Sequence, residues 1–124
     1  PAPGRLGAKR SRKELTYIDF IRDVMDGDEA TLLLKDASYG GSWIKRGGVN
    51  AYCMLARKID RIEQRVRIGT DVDGDPVYVS IFQAIREDEE RGRPETILED
   101  IGDLRRYLTL VEAEWTRRRK GRRR

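Results

Sequence analysis

Two stretches of this chain repeat apolar residues at alternating three- and four-residue steps, and that repeat narrows the fold more than any other feature. Between 51 and 66 the series is Tyr52, Leu55, Ile59, Ile62 and Val66; near the end it is Ile97, Ile101, Leu104, Leu108, Val111 and Trp115. Such spacing lines one face of an α-helix and gives that helix a seam to pack along. A third run, Glu14–Met25, places Leu15, Ile18, Ile21 and Met25 at similar steps. Between the two strong seams, the β-branched patches Val66–Ile68 and Val77–Val79 flank a Gly/Asp/Pro turn, which predicts a small hairpin. The expected fold is mainly α, a small helical bundle with a short β-hairpin insertion near residues 66–79.

Local signals suggest where each element begins and ends. Ser11 with Glu14 offers a capping box for the first helix, and Asp26-Gly27-Asp28 is expected to close it. A short apolar helix over Glu29–Lys35 follows. Residues 36–50 hold four glycines and read as a loop, with Asn50 as the N-cap of the helix over 51–66. Residues 80–90 form a short helix that the run Arg91-Gly92-Arg93-Pro94 breaks. Pro94 suits a first helical turn, Thr96 with Glu99 suits a second capping box, and the last helix is expected to reach about Trp115.

A length of 124 residues fits one domain, expected over 14–115 between two basic tails. No apolar run approaches the roughly 18–20 residues of a membrane span, and mean hydropathy is −0.72. The basic N-terminal stretch lacks the apolar segment of a signal peptide. Cys53 is the only cysteine, so a disulfide scaffold is excluded and the residue reads as a small buried one. There is no histidine. That removes Ser-His-Asp triads, Cys-His pairs and His-ligated zinc, and leaves carboxylates, Lys, Arg, Tyr, Ser or Thr for any chemistry.

Charge is divided sharply along the chain. Residues 1–13 carry five basic side chains and residues 116–124 carry seven (Arg117, Arg118, Arg119, Lys120, Arg122, Arg123 and Arg124), with no acid in either. Setting these 12 aside from the 26 leaves 14 basic against 22 acidic residues, a body of net charge −8. Blocks of like charge repel and stay disordered unless a polyanion binds them. The tails therefore predict a grip on DNA or RNA phosphates, or a solvated, solubilising end.

Three groups of residues could carry chemistry. Asp60 and Glu63 lie i,i+3 on one helix, and Asp100 and Asp103 do so on the last. If those helices pack side by side, the four carboxylates could converge on Mg²⁺ as metal ligands and catalytic groups; otherwise they are solvated acids paired with Arg57 and Arg61. The loop places Tyr39, Trp43, Lys45 and Arg46 among glycines at a helix entrance. Cations there would meet phosphate and aromatics would stack on a base, or the same aromatics pack a core. Asp71-Val72-Asp73-Gly74-Asp75 only faintly matches a calcium loop, because its glycine precedes the third acid and Phe82 occupies position twelve. A tight turn explains it better.

The run Asp36-x-x-Tyr39-Gly40-x-Ser42-Trp43, then Lys45-Arg46-Gly47-Gly48-Val49, then Leu55-Ala56-Arg57-Lys58-x-Asp60-Arg61-x-Glu63 resembles the phage and bacterial nucleotide modification associated domain 1 family. Asp100-Ile101-x-Asp103-Leu104-Arg105-Arg106-Tyr107-Leu108 resembles its closing helix. The resemblance spans about residues 30–115. It implies a nucleotide-handling protein of phage or prophage type, linked to modified-nucleotide metabolism. With the missing export signal, it implies a location in the cytoplasm of a bacterial host. A fainter resemblance is to all-α nucleoside triphosphate pyrophosphatases of the MazG type, whose E-x-x-E and E-x-x-D steps hold Mg²⁺. Here Asp stands first in both steps, and 36 residues (64–99) separate them. In that reading Asp60, Glu63, Asp100 and Asp103 hold Mg²⁺, Lys45, Arg46 and Arg57 neutralise phosphate, and Asp36, Tyr39 and Trp43 complete the ligand site. A non-enzymatic nucleic-acid adaptor working through the tails is the alternative. The small core and strong seams point to a homodimer.

Overall fold

The computed structural model describes residues 14–34 and 48–122. The chain divides into two compact units, Pro1–Ala37 and Ser38–Arg124. That boundary falls inside the stretch expected to be one domain.

In the first unit the described residues form one helix, α1 (Tyr17–Leu34). Its start is set by Thr16 and Asp19, since Asp19 Oδ2 accepts from the Thr16 backbone N–H at 2.9 Å and from its hydroxyl at 3.1 Å. This is one half of a capping box, with aspartate in the glutamate position, while the Asp19 N–H goes to the Thr16 carbonyl at 3.0 Å; the Ser11 cap lies outside the described residues. The expected break at Asp26-Gly27-Asp28 does not occur, and one helix takes the place of two. A lone glycine inside a helix costs roughly 1 kcal/mol, whereas stopping and restarting requires a second unfavourable nucleus. No residue of α1 is buried, and Ile18, Phe20, Ile21 and Val24 are all exposed.

The second unit runs α2 (Val49–Val66), β1 (Arg67–Thr70), β2 (Pro76–Tyr78), α3 (Ile81–Arg91) and α4 (Ile97–Arg122). The described chain is thus mainly α with one small antiparallel hairpin, as the periodicity predicts. Gly48 precedes α2 at φ 92°, a backbone region that glycine enters without steric cost. The helix therefore starts at Val49, and Asn50 lies within it rather than capping it. In the hairpin, Arg67 faces Tyr78 and Thr70 faces Pro76, with an irregularity between Arg67 and Gly69. The turn is built on Asp71, whose Oδ1 accepts from the N–H groups of Asp73 and Asp75 at 2.9 Å. That carboxylate stabilises the turn from within.

Ser80 caps α3 by accepting from the Phe82 N–H at 3.2 Å. Gly92, at φ 58°, closes it and donates to the carbonyls of Asp88 and Glu89. This is the left-handed C-terminal stop that glycine favours. The Thr96 hydroxyl accepts from the Glu99 N–H at 3.2 Å, as expected. Pro94, however, precedes α4 by three residues instead of entering its first turn. The helix starts where its first donor finds a partner: the Ile97 N–H bonds Asp88 Oδ2 at 2.7 Å.

α4 also runs past Trp115 to Arg122, so the described part of the basic end is helical and not a disordered tail. Glu114 accepts from Arg117 and Arg118 one turn later. Cations near a helix C-terminus favour its dipole, and these effects outweigh the repulsion among like charges.

α2 and α4 pack antiparallel, the start of one beside the end of the other. Ile97 is fully buried, with Ala51 and Ala84 nearly so; Asp88 and Asp100 are buried beside them. The seam of α4 is covered only near its start. Leu108, Val111 and Trp115 remain exposed. No helix among the described residues is long and apolar enough to cross a membrane.

Candidate functional site: a charged layer and its cleft

α2 carries Lys58, Arg61 and Arg65 at steps of three and four, so all three project from one flank of the helix. That flank meets four carboxylates from other elements. Lys58 Nζ lies 2.9 Å from Asp103 and 3.4 Å from Asp100. Arg61 reaches Asp100 at 2.9 Å through Nε and Glu95 at 2.6 Å through Nη2. Arg65 pairs with Asp88 and donates to the Glu95 carbonyl at 3.3 Å. Arg106, one turn along α4, adds a second cation to Asp103 at 2.9 Å. It lies over Gly102, and a Cβ at that position would stand 2.9 Å from its Nη1. The hydrogen of glycine leaves the guanidinium room to fold back along its own helix.

Asp88 ties the layer to the backbone. One oxygen caps Ile97 and the other faces Arg65, with Arg93 Nε 3.7 Å away. A buried carboxylate needs this many donors to remain there. Among the described residues no buried side-chain nitrogen or oxygen lacks a hydrogen-bond partner.

Ionisation follows these contacts. Burial opposes the charge on Asp103, but hydrogen bonds from Lys58 and Arg106 hold its carboxyl below the ordinary value. Burial likewise opposes the charge on Lys58, and the hydrogen bond and charge of Asp103, followed by Asp100, raise its ammonium value. For Arg65, burial and then repulsion from Arg93, together with Arg61 and Arg91, pull the guanidinium below its usual value. Cations are crowded at this end of the layer.

The crowding opens into a polar cleft of about 600 Å³, lined by Arg61, Gln64, Arg65, Arg93, Glu95 and Asp100. The three guanidinium groups can grip phosphate oxygens, and the amide and an exposed carboxylate can hydrogen-bond sugar or base. Its size lies within the roughly 300–1,000 Å³ of small-molecule pockets.

The four expected metal ligands do not converge. Asp100 and Asp103 are in the layer and paired with cations. Glu63 accepts from the Tyr78 hydroxyl at 2.9 Å, fastening the hairpin to α2. Asp60 is exposed and lines an apolar cavity on the other flank of α2. At about 100° per residue, Asp60 and Glu63 are turned far from Lys58, Arg61 and Arg65. The face of α2 turned to the α4 acids is therefore cationic. Among the described residues no group of three or more acids or cysteines could hold a metal ion, so a four-carboxylate Mg²⁺ site does not fit this arrangement.

Asp36, Tyr39, Trp43, Lys45 and Arg46 lie outside the described residues, as do Arg123 and Arg124. Arg57 is exposed on α2. Arg117 and Arg118 share Glu114, while Arg119 and Lys120 are exposed. Cys53 is exposed and not buried as expected. Lys58, Arg61 and Arg65 share a helical spacing that could have marked them together; Asp88 and Arg93 had no such signal.

Comparison with protein-family models, curated proteins and solved structures found no match.

Proposed function

We propose that this chain is a nucleotide-handling helical domain that binds nucleotide phosphates in the cleft between α2 and the α3–α4 turn. The observation that carries the reading is the convergence of Arg61, Arg65 and Arg93 on one polar cleft. Two of the segments that resemble nucleotide-handling proteins each contribute one residue to its lining. Arg61 belongs to the first and Asp100 to the second, and they meet at 2.9 Å. The proposed event is binding: the guanidinium groups take phosphate oxygens, while Gln64 and Glu95 face the remainder of the ligand. The test is equilibrium binding of nucleoside mono-, di- and triphosphates, with inorganic triphosphate as the base-free control. Arg93 sits loosely against Asp88, so Arg93→Ala should leave the fold intact. Loss of one charge-assisted hydrogen bond, about 1.5–3 kcal/mol, would weaken binding by about 10- to 150-fold. No binding by the folded wild type, or binding that Arg93→Ala leaves unchanged, overturns the cleft reading. The same samples incubated with Mg²⁺ report any turnover.

A second reading has its own observation. α4 continues as a helix to Arg122 and leaves Arg119 and Lys120 exposed. We propose nucleic-acid phosphates as the ligand of that end. Arg119→Ala with Lys120→Ala would then lower affinity for DNA or RNA of any sequence and flatten the salt dependence. Unchanged affinity and slope would refute it.

A further inference from the structure

We propose that the open apolar face of the α2–α4 pair is the docking surface for a second copy of this chain, related by a two-fold axis near Tyr52 and Leu55. Two cavities lie along the face. One, about 350 Å³, lies at the end where Val111, Trp115 and Arg118 stand beside Ala51. The other, about 340 Å³, lies toward Ile59, Asp60 and Leu104. Tyr52 and Leu55 line both, so the two form a continuous groove with those residues at its middle. Tyr52, Ile59, Leu108 and Trp115 are each half or more exposed along it. The three-four spacing that seats α2 on α4 thus continues onto a surface that no other described element of the second unit covers.

The occupant follows from the two ends of the groove. Asp60, at one end, has no hydrogen bond or ion pair among the described residues. Arg118, at the other end, shares Glu114 with Arg117. A copy turned by a two-fold axis at the middle lays its Arg118 end on the Asp60 end of the first, and the reverse contact forms in the same step. An isologous interface makes every such contact twice. It also brings Trp115 of each copy toward the other's Ile59–Leu104 cavity, where a large aromatic anchor fills space left open in the monomer. Two helical hairpins joined in this way make a four-helix arrangement with knobs from each seam entering the other. The proposal uses the flank of α2 away from the polar cleft and does not depend on what that cleft binds.

Sedimentation equilibrium of the full chain over a wide concentration range tests it. The wild type should self-associate to a dimer and no further. Leu108→Glu places a charge in the groove at a position already half exposed, so the helical circular dichroism should persist while dimerisation weakens by about 30-fold or more. Asp60→Arg and Arg118→Glu should each weaken the dimer, and the double variant should recover most of the loss, because the swapped charges meet again across the axis. A monomeric wild type at every concentration overturns the proposal, as does a dimer that a folded Leu108→Glu variant leaves untouched. Failure of the double variant to recover overturns the two-fold arrangement.

Discussion

Where α2 meets the first turns of α4, Lys58, Arg61 and Arg65 reach Asp88, Glu95, Asp100 and Asp103, and Ile97 is sealed beneath them. Where α2 meets the later turns, Ala51, Tyr52 and Leu55 face Val111 and Trp115 across an open cavity. One pair of helices is thus closed by charge at one end and left apolar and open at the other. The charged end has little tolerance, because two of its carboxylates, Asp88 and Asp100, are buried and depend on particular partners. The open end has apolar surface in excess of what the described residues of the second unit cover. A small chain that places its polar pairs in the interior has fewer apolar contacts for stability, and the seam residues left over stay exposed.

If that contrast is right, the largest effect lies at Asp88. Asp88→Ala would leave Arg65 partly buried without its carboxylate and Ile97 without its cap. Removing one partner of a buried pair costs about 3–5 kcal/mol, which is a large part of the stability of a domain this size. Urea unfolding reads it directly. A loss below about 1 kcal/mol would mean that the charged end is more hydrated and forgiving than its burial indicates.

The two halves of the α4 seam supply the next comparison. Ile97 is completely buried and Val111 is more than a third exposed. Ile97→Ala should cost about 2–5 kcal/mol from lost burial and the cavity left behind. Val111→Ala should cost under about 1 kcal/mol in the monomer. Both residues belong to one periodic series, so equal losses by urea unfolding would show that the open end is packed after all.

That pair also shows how far the sequence alone is informative. The periodicity locates α2 and α4, and the β-branched patches with their Asp/Gly/Pro turn locate the hairpin, because each signal is local. The extent of burial along a seam is not local: Ile97 and Val111 look equivalent until α3 and its turn cover one and not the other. The continuity of α1 through Gly27 and the extension of α4 to Arg122 are settled by small competing terms, a glycine cost in one case and Arg–Glu pairs in the other. For the site, Asp100 and Asp103 stand out from their spacing, but their partners do not. The register between two helices decides whether Asp60 or Lys58 faces them, and neither helix encodes that register by itself. Asp88 is one acid among several in Glu87–Glu90, distinguished by tertiary contacts alone: its burial, its pairing with Arg65 and the 2.7 Å bond from the Ile97 N–H.

Acid should loosen the charged end before it affects the apolar one. The folded carboxyl of Asp103 lies below its unperturbed value of 3.8 because of Lys58 and Arg106, despite burial. Its contribution is therefore present above that value and is lost as pH falls through the lower folded value. Lys58 has the opposite sign. Raised above 10.5, it contributes below that pH, and the contribution is lost as pH rises through its folded value. The urea midpoint should fall at both extremes, and Asp103→Asn should flatten the acid limb while lowering the plateau. An unchanged acid limb in that variant would place the acid sensitivity elsewhere.

The smallest effect concerns the basic end of α4. Hydrogen bonds from Arg117 and then Arg118 lower the Glu114 carboxyl from 4.5 to about 2. The fork is solvent-exposed, so salt screens it and it adds little to global stability. Its work is local, holding residues 116–122 helical against the repulsion of their own charges. Glu114→Gln should leave the urea midpoint almost unmoved and speed amide hydrogen exchange over the last two turns. In the wild type the same fraying should set in as pH falls from about 4.5 toward about 2, the range in which Glu114 takes up a proton in the unpaired but not the paired state. It should also appear at high salt. If exchange there is equally slow in Glu114→Gln, the helix end is held by backbone propensity and the C-terminal dipole alone, and Arg117 and Arg118 are as free as Arg119 and Lys120 to meet an anion.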